Sequence, residues 1–257
     1  MDLSLFMGGL PPLLFAIACG VALVAAFVKG ATGFAMPMIM VSGMAAFLSP
    51  EMALAGLILP TVITNGFQAF RDGVGAALST IKRYRYYLGV GAVFLIASAQ
   101  LVRSIDERFL FGMIGFPIVA FGLLQLAGIR PRISDESRIP AEIGLGALSG
   151  IVGGVSGVWG PPLVLYLTAT ATPKGDQMRA LGVAFGLGAI LLFITHLQTG
   201  VLNARTLPFS AAMVLPALLG MRFGQKIQDR LDQESFRKVT LLVLIVAGLN
   251  LIRRAIF

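Results

Sequence analysis

Ten apolar runs separated by short, mostly basic connections constrain this chain more than any other feature. They lie near residues 10–28, 34–48, 51–70, 86–103, 108–128, 141–155, 161–172, 177–198, 206–222 and 236–256. A crossing helix needs about 20 apolar residues. Lipid also requires every backbone polar group to be satisfied within the protein. Runs of this length therefore read as helices, and the alternating ten-residue strands of a membrane barrel are missing. Composition agrees: of 257 residues 57% are apolar and 12% charged, against roughly 25% charged in soluble domains. A soluble enzyme could not cover its surface with so little charge, and disorder is excluded by the same numbers. Cys19 is the sole cysteine, so no internal disulfide forms.

The net charge of +8 does not point to nucleic acid, because the basic residues sit between the apolar runs rather than on one face. If the chain changes side at each run, 15 of the 20 Lys and Arg residues fall on one side. Arg103, Arg108, Arg205, Arg253 and Arg254 fall on the other. The positive-inside bias then predicts both termini outside. A pair of runs forming a re-entrant hairpin would leave the later sides unchanged. The start, Met1-Asp2-Leu3-Ser4, has no basic region, so the first run is expected to remain in the mature protein.

The chain also repeats itself. Gly30-Ala31-Thr32-Gly33-Phe34-Ala35-Met36-Pro37 aligns with Gly154-Val155-Ser156-Gly157-Val158-Trp159-Gly160-Pro161, 124 residues on. Ser49-Pro50 is answered by Thr172-Pro173, each reading as an N-cap followed by proline at the first helical position. The expected organisation is a first transmembrane repeat over 1–128, a cytoplasmic linker over 129–139 and a second repeat over 140–257. Five runs per repeat is an odd number, so equivalent halves enter the membrane from opposite sides. The predicted fold class is an all-α polytopic membrane protein of two inverted five-segment repeats, each with a Gly-rich broken helix or re-entrant hairpin. Inverted repeats with broken helices are the architecture of many secondary transporters.

The Gly motifs interrupt apolar stretches, and in the second half the pieces 141–153 and 162–172 are short for a crossing. Glycine permits close backbone approach to a ligand, and helix N-termini present free N–H groups with a positive dipole end. The candidate anion-binding residues are therefore Lys29, Gly30, Thr32 and Gly33 in the first tip and Gly154, Ser156, Gly157, Trp159 and Pro161 in the second. Thr32 and Ser156 would add hydroxyl donors, Lys29 a full charge and Trp159 an indole N–H. Each has a plainer reading: glycines as tight helix packing, Lys29 as a snorkelling interface residue, Trp159 as an interfacial anchor.

Thr61, Asn65 and Gln68 form a polar stripe on one helix face, either lining the route or bonding neighbouring helices. Asn65 and Gln68 join the candidate site. His196, the only histidine, reads as interfacial or as a proton relay. Glu51 and Asp176 read as first-turn carboxylates complementing helix dipoles, and Arg71-Asp72 as a loop ion pair. No Walker A, HExxH or CxxC motif is present, and a single histidine makes a Ser-His-Asp triad hard to assemble. We therefore expect no enzyme activity, no cofactor and no metal. Few acids lie in the runs, so proton coupling has no obvious carrier and a uniport could suffice. The other classes left open are an anion channel and a non-transporting accessory subunit.

The duplicated Lys29–Phe34 and Gly153–Pro162 motifs, with Ser49-Pro50 and Thr172-Pro173 after them, resemble the TauE/SafE sulfite exporter family. So does Gly220-Met221-Arg222-Phe223-Gly224 leading to Phe236-Arg237-Lys238. The resemblance covers essentially the whole chain. It implies a bacterial-type plasma (inner) membrane exporter of sulfite or a small organosulfonate, working by alternating access. The implied partners are a small sulfur-containing anion, the lipid bilayer and a possible second copy of the chain, with no nucleic acid.

Overall fold

The computed structural model describes residues 6–101, 107–129, 133–156, 159–170, 172–228 and 233–256. Among them are twelve α-helices and no strand. The first half holds α1 (Pro12–Thr32), α2 (Met36–Ala45), α3 (Pro50–Ala69), α4 (Val74–Arg83), α5 (Arg85–Ala99) and α6 (Glu107–Leu126). The second holds α7 (Arg138–Ser156), α8 (Gly160–Ala169), α9 (Lys174–Gln198), α10 (Thr206–Ala212), α11 (Val214–Gln228) and α12 (Gln233–Ile256). Four described stretches are long and apolar enough to cross a membrane: Pro12–Thr32, Pro50–Ala69, Asp176–Gln198 and Thr206–Lys226.

The helix lengths recur between the halves. A long helix and a ten-residue helix open each half, α1 with α2 and α7 with α8. Of the two second-half pieces expected to be short, α8 is short, with 10 residues, and the first is not. α7 has 19 residues, about 28 Å at 1.5 Å per residue, because it starts at Arg138, inside the stretch read as linker. Two breaks escaped the sequence reading. α4, preceding α5, is a short amphipathic helix, and the run 206–222 divides into α10 and α11 at Met213.

Helix starts follow local chemistry in one half only. Ser49 caps α3 by accepting from the Met52 N–H at 3.3 Å, with Pro50 at the first position. The equivalent expectation at Thr172-Pro173 is corrected. Pro173 itself stands at the N-cap, and the Thr172 hydroxyl pairs with that of Thr170 at 2.9 Å.

The most extensive helix contacts are reciprocal under exchange of the halves: α5 with α7, α11 with α1, α12 with α6 and α9 with α3. Glycines set the direction of each pair. Gly220 faces Leu23 and Phe27, and Gly224 faces Phe27 and Ala31, so α1 and α11 run parallel. Gly146 faces Tyr87 and Gly154 faces Leu95 and Ala99, so α5 and α7 are also parallel. Gly182 faces Gln68 and Ala69 while Gly186 faces Asn65, making α3 and α9 antiparallel. Gly115 and Gly122 face Gly248 and Ile245 in turn, making α6 and α12 antiparallel. Small residues let backbones approach where no hydrophobic force separates helix from lipid.

Candidate functional site

α1 ends in a left-handed turn. Gly33 adopts φ +82° and returns its N–H to the Lys29 carbonyl at 2.7 Å. Ala35 also has positive φ, 76°, a position strained for an L side chain. These two left-handed residues reverse the chain into α2, whose first residues Met36–Met38 are buried. The Gln68 amide braces the turn, donating to the carbonyls of Gly33 at 2.9 Å and Met178 at 3.1 Å.

Lys29 lies on the last turn of α1 with 2% of its surface exposed. It does not snorkel. Its Nζ donates to Thr64 Oγ1 at 3.1 Å and to Asn65 Oδ1. Thr64 spends its own proton on the Pro60 carbonyl at 2.7 Å, which fixes its lone pairs toward the amine. Among the described residues no carboxylate lies within ion-pair distance of Lys29. Both oxygens it meets are neutral. As an ammonium, Lys29 keeps a third N–H, and a buried charge without a counter-charge is costly. Asn65 turns its oxygen to the lysine, leaving its buried Nδ2 without a partner. With Lys29 as an ammonium the site holds a surplus of donors and one positive charge, the chemistry that an anion completes.

Two spaces flank this cluster. A cleft of about 50 Å³ lies over Lys29, Gly30, Gly33 and Gln68, with Arg71, Asp72 and Arg179 at its mouth. Arg179 holds that mouth together, donating to Thr80 Oγ1 at 3.0 Å, to Asp72 at 3.3 Å and to Asp176. Asp72 thus pairs with Arg179, correcting the expected Arg71–Asp72 pair. Asp176 serves Arg179 besides standing in the first turn of α9. The second space, about 10 Å³, is lined by Ala35, Pro37 and Met38 from the first tip and by Trp159, Gly160 and Phe185. The described parts of the two tips thus meet across one small cavity.

The other candidate residues take different places. Gly30 stays within α1, so its N–H belongs to the helix. Its missing Cβ admits the backbone of Met221 and Gln225 on α11. Gly154 is its counterpart, packing on Leu95, Ser98 and Ala99 of α5. Both glycines let another helix approach, and Gly30 also lines the cleft beside Lys29. The Thr32 hydroxyl turns back to the carbonyls of Val28 at 2.8 Å and Phe34 at 3.2 Å, so it stabilises the turn. Thr61 bonds the Leu57 carbonyl at 2.6 Å on its own helix. Gly157 and the side chains of Ser156 and Pro161 lie outside the described residues. Trp159 is 5% exposed, stacked edge-on to Phe185, with its indole N–H unpartnered. It is no interfacial anchor. His196 is fully buried rather than interfacial: Nδ1 meets Thr199 Oγ1 at 3.1 Å, Nε2 lacks a partner, and the ring lies beside the Gly154 backbone.

Sequence reading missed Thr64 as the second lysine acceptor, although it stands next to Asn65. It also missed Glu142, a buried acid whose side chain is 2% exposed. Glu142 lies only four residues after Arg138, and that spacing was the available signal.

Comparison with known proteins places the chain. The family described as sulfite exporter TauE/SafE matches residues 18–251. The probable membrane transporter protein YfcA of Escherichia coli strain K12 is 26% identical over 268 aligned residues, which cover 97% of this chain and 93% of that protein. The YfcA proteins of the O6:H1 and O157:H7 strains match equally. No solved structure matches.

Proposed function

The chain belongs to the sulfite exporter TauE/SafE family of membrane transporters, and from that premise we propose that it exports sulfite or a small organosulfonate bound at Lys29. The carrying observation is the buried lysine that, among the described residues, bonds only Thr64 and Asn65. In this reading Lys29 supplies the charge. Its spare N–H and Asn65 Nδ2 donate to the oxyanion, and Gln68 keeps the turn in place. The cleft at Arg71 and Arg179 is the cytoplasmic access, where basic side chains concentrate the anion. Trp159 closes the far side from the second tip.

The proposed architecture is a pair of inverted repeats, 1–128 and 140–257, in the plasma (inner) membrane with both termini outside. Antiparallel α3 with α9 and α6 with α12 support inversion, because counterpart helices related by an in-plane two-fold axis oppose each other. The parallel pairs α1 with α11 and α5 with α7 agree with the sides assigned by the charge count. Alternating access would move one set of helices against the other around the two tips. Export from a cell that is negative inside is electrically downhill by about 2.3 kcal/mol per charge per 100 mV.

The test is counterflow and efflux from proteoliposomes loaded with labelled sulfite, sulfoacetate or taurine. Saturable efflux of one sulfur anion that Lys29→Met lowers about 100-fold is the expected result. Non-saturating conductance would replace the carrier by a channel, and no flux of any of the three from folded protein would overturn the substrate class.

A further inference from the structure

A second buried polar cluster lies away from Lys29. Glu142 stands one turn into α7, and its Oε1 takes the Tyr166 hydroxyl at 2.8 Å and Arg138 Nε at 3.3 Å. Arg138 Nε also reaches the Tyr166 oxygen at 3.3 Å. The other carboxylate oxygen, Oε2, is buried and without a partner. The hydroxyls of Tyr84 and Tyr87 are likewise buried and unpartnered, and both rings pack on Tyr166 with centroids 6.1 and 6.0 Å away. An ionised carboxylate that only fastened helices together would have donors on both oxygens. Here one oxygen lacks them. A proton on Oε2 would remove the carboxylate charge and give that oxygen a donor of its own.

Among the described residues, the charged and titratable groups around Glu142 are few. Arg138 comes from its own helix, Tyr166 from α8 and Tyr84 and Tyr87 from the α4–α5 junction. The Arg85 charge also acts on Glu142. α6, which also packs on α7, carries titratable residues only at its first two positions, Glu107 and Arg108. Neither cation is sealed in with the acid, since Arg138 is about one-third exposed and Arg85 lies at the surface. Protonation of Glu142 therefore strands no buried positive charge.

The cluster is tied to the tips. Tyr166 lies on α8 and Trp159 directly precedes it, lining the cavity between the tips. Ser149, two turns beyond Glu142 on α7, donates to the Trp159 carbonyl at 2.6 Å. Glu142 is thus bonded, through Tyr166, to the helix that begins directly after Trp159. Ala18 occupies the position of Glu142 in the first half, 124 residues earlier, so the device is single.

We propose that Glu142 is the proton-carrying residue of this transporter, taking up a proton on Oε2 from the side to which the anion leaves and releasing it to the side from which the anion came. This rests on the export reading above and replaces the uniport expectation. One proton binds one carboxylate oxygen and later leaves it, with no other bond made or broken.

The experiment uses the full chain in vesicles with a trapped pH dye and labelled sulfite, under an imposed pH gradient and with membrane potential clamped. Wild type should move protons in fixed proportion to sulfite and in the opposite direction. Glu142→Gln should keep sulfite counterflow within about threefold while losing proton movement and all response to the gradient. Tyr166→Phe, which leaves the acid in place, should shift the pH profile of exchange and keep the proton-to-sulfite ratio. An unchanged ratio in Glu142→Gln would overturn the assignment, as would sulfite flux in wild type without proton movement. That last result leaves export standing. Absence of any sulfur-anion flux in wild type would remove both readings together. If Glu142→Gln fails to assemble, a pH profile of Tyr166→Phe that matches wild type overturns the proposal.

Discussion

The first tip, where α1 turns into α2, and the second, where α7 turns into α8, share a plan and differ in charge. Each follows a long helix and opens a ten-residue one, and each has a glycine, Gly30 or Gly154, admitting a partner helix. Each also lies beside the end of a spanning helix, α3 with Gln68 in one half and α9 with His196 in the other. The side chains then diverge. The first tip buries Lys29 among neutral oxygens. At the equivalent place the second has Gly153, and a Cβ there would meet the Cβ of Trp159 at 2.6 Å. The indole-bearing residue fills the space that the lysine occupies opposite. The two tips share a backbone plan, and the lysine stands in one copy only.

Lys29→Met tests that division most severely. Replacing the cation by an apolar chain of similar length should lower saturable flux about 100-fold, equivalent to about 2.8 kcal/mol at 1.4 kcal/mol per tenfold. Thermal stability should hold or rise, because an uncompensated buried charge is removed. Flux and melting in detergent check both halves of the statement, and equal flux would move the anion site elsewhere.

Gly30→Leu and Gly154→Leu should behave alike, since both glycines serve packing. Each should cost about 1–3 kcal/mol by overpacking against α11 or α5, read as a lower melting temperature. A substitution that destabilised only one half would break the equivalence of the tips.

Asn65→Leu should weaken anion binding about tenfold, leaving Lys29 with one neutral acceptor and removing the free amide donor. Titration of intrinsic Trp159 fluorescence with sulfite measures it directly, because Trp159 is the sole tryptophan. Asn65→Asp sharpens the point by giving Lys29 an internal carboxylate, which should compete with the anion and raise the half-saturating concentration further.

His196→Gln is expected to change flux by less than about threefold. The ring is buried beside the second tip without a charged partner among the described residues, and glutamine keeps a hydrogen-bonding group toward Thr199. A large loss would give the second tip a chemical role that its neutral surroundings do not suggest.

Much of this was legible in sequence. Periodic apolar runs need no partner to declare a membrane helix, and the positive flanks between them mark sides. Lys29, Asn65 and Gln68 stood out because polar groups at depth are costly. The packing and turn contacts of Gly30, Thr32 and Gly154 were not legible, because a glycine or a hydroxyl reads the same whether it meets a ligand, its own turn or another helix. Glu142 passed unnoticed because a glutamate just after a charged linker resembles a solvated one until Tyr166 covers it.

Sequence alone thus determined the helical membrane class, the duplicated Gly motif and the presence of a lysine in one copy only. These follow from local chemistry and from the hydrocarbon surroundings. Tertiary structure decided which acceptors surround that lysine, which glycines face backbone and which acid is buried. Those depend on residues 35 or more positions apart along the chain, such as Lys29 and Thr64, or 24 apart, such as Glu142 and Tyr166. Whether a polar group is satisfied is a property of what packs against it, and no single run of residues records its neighbours.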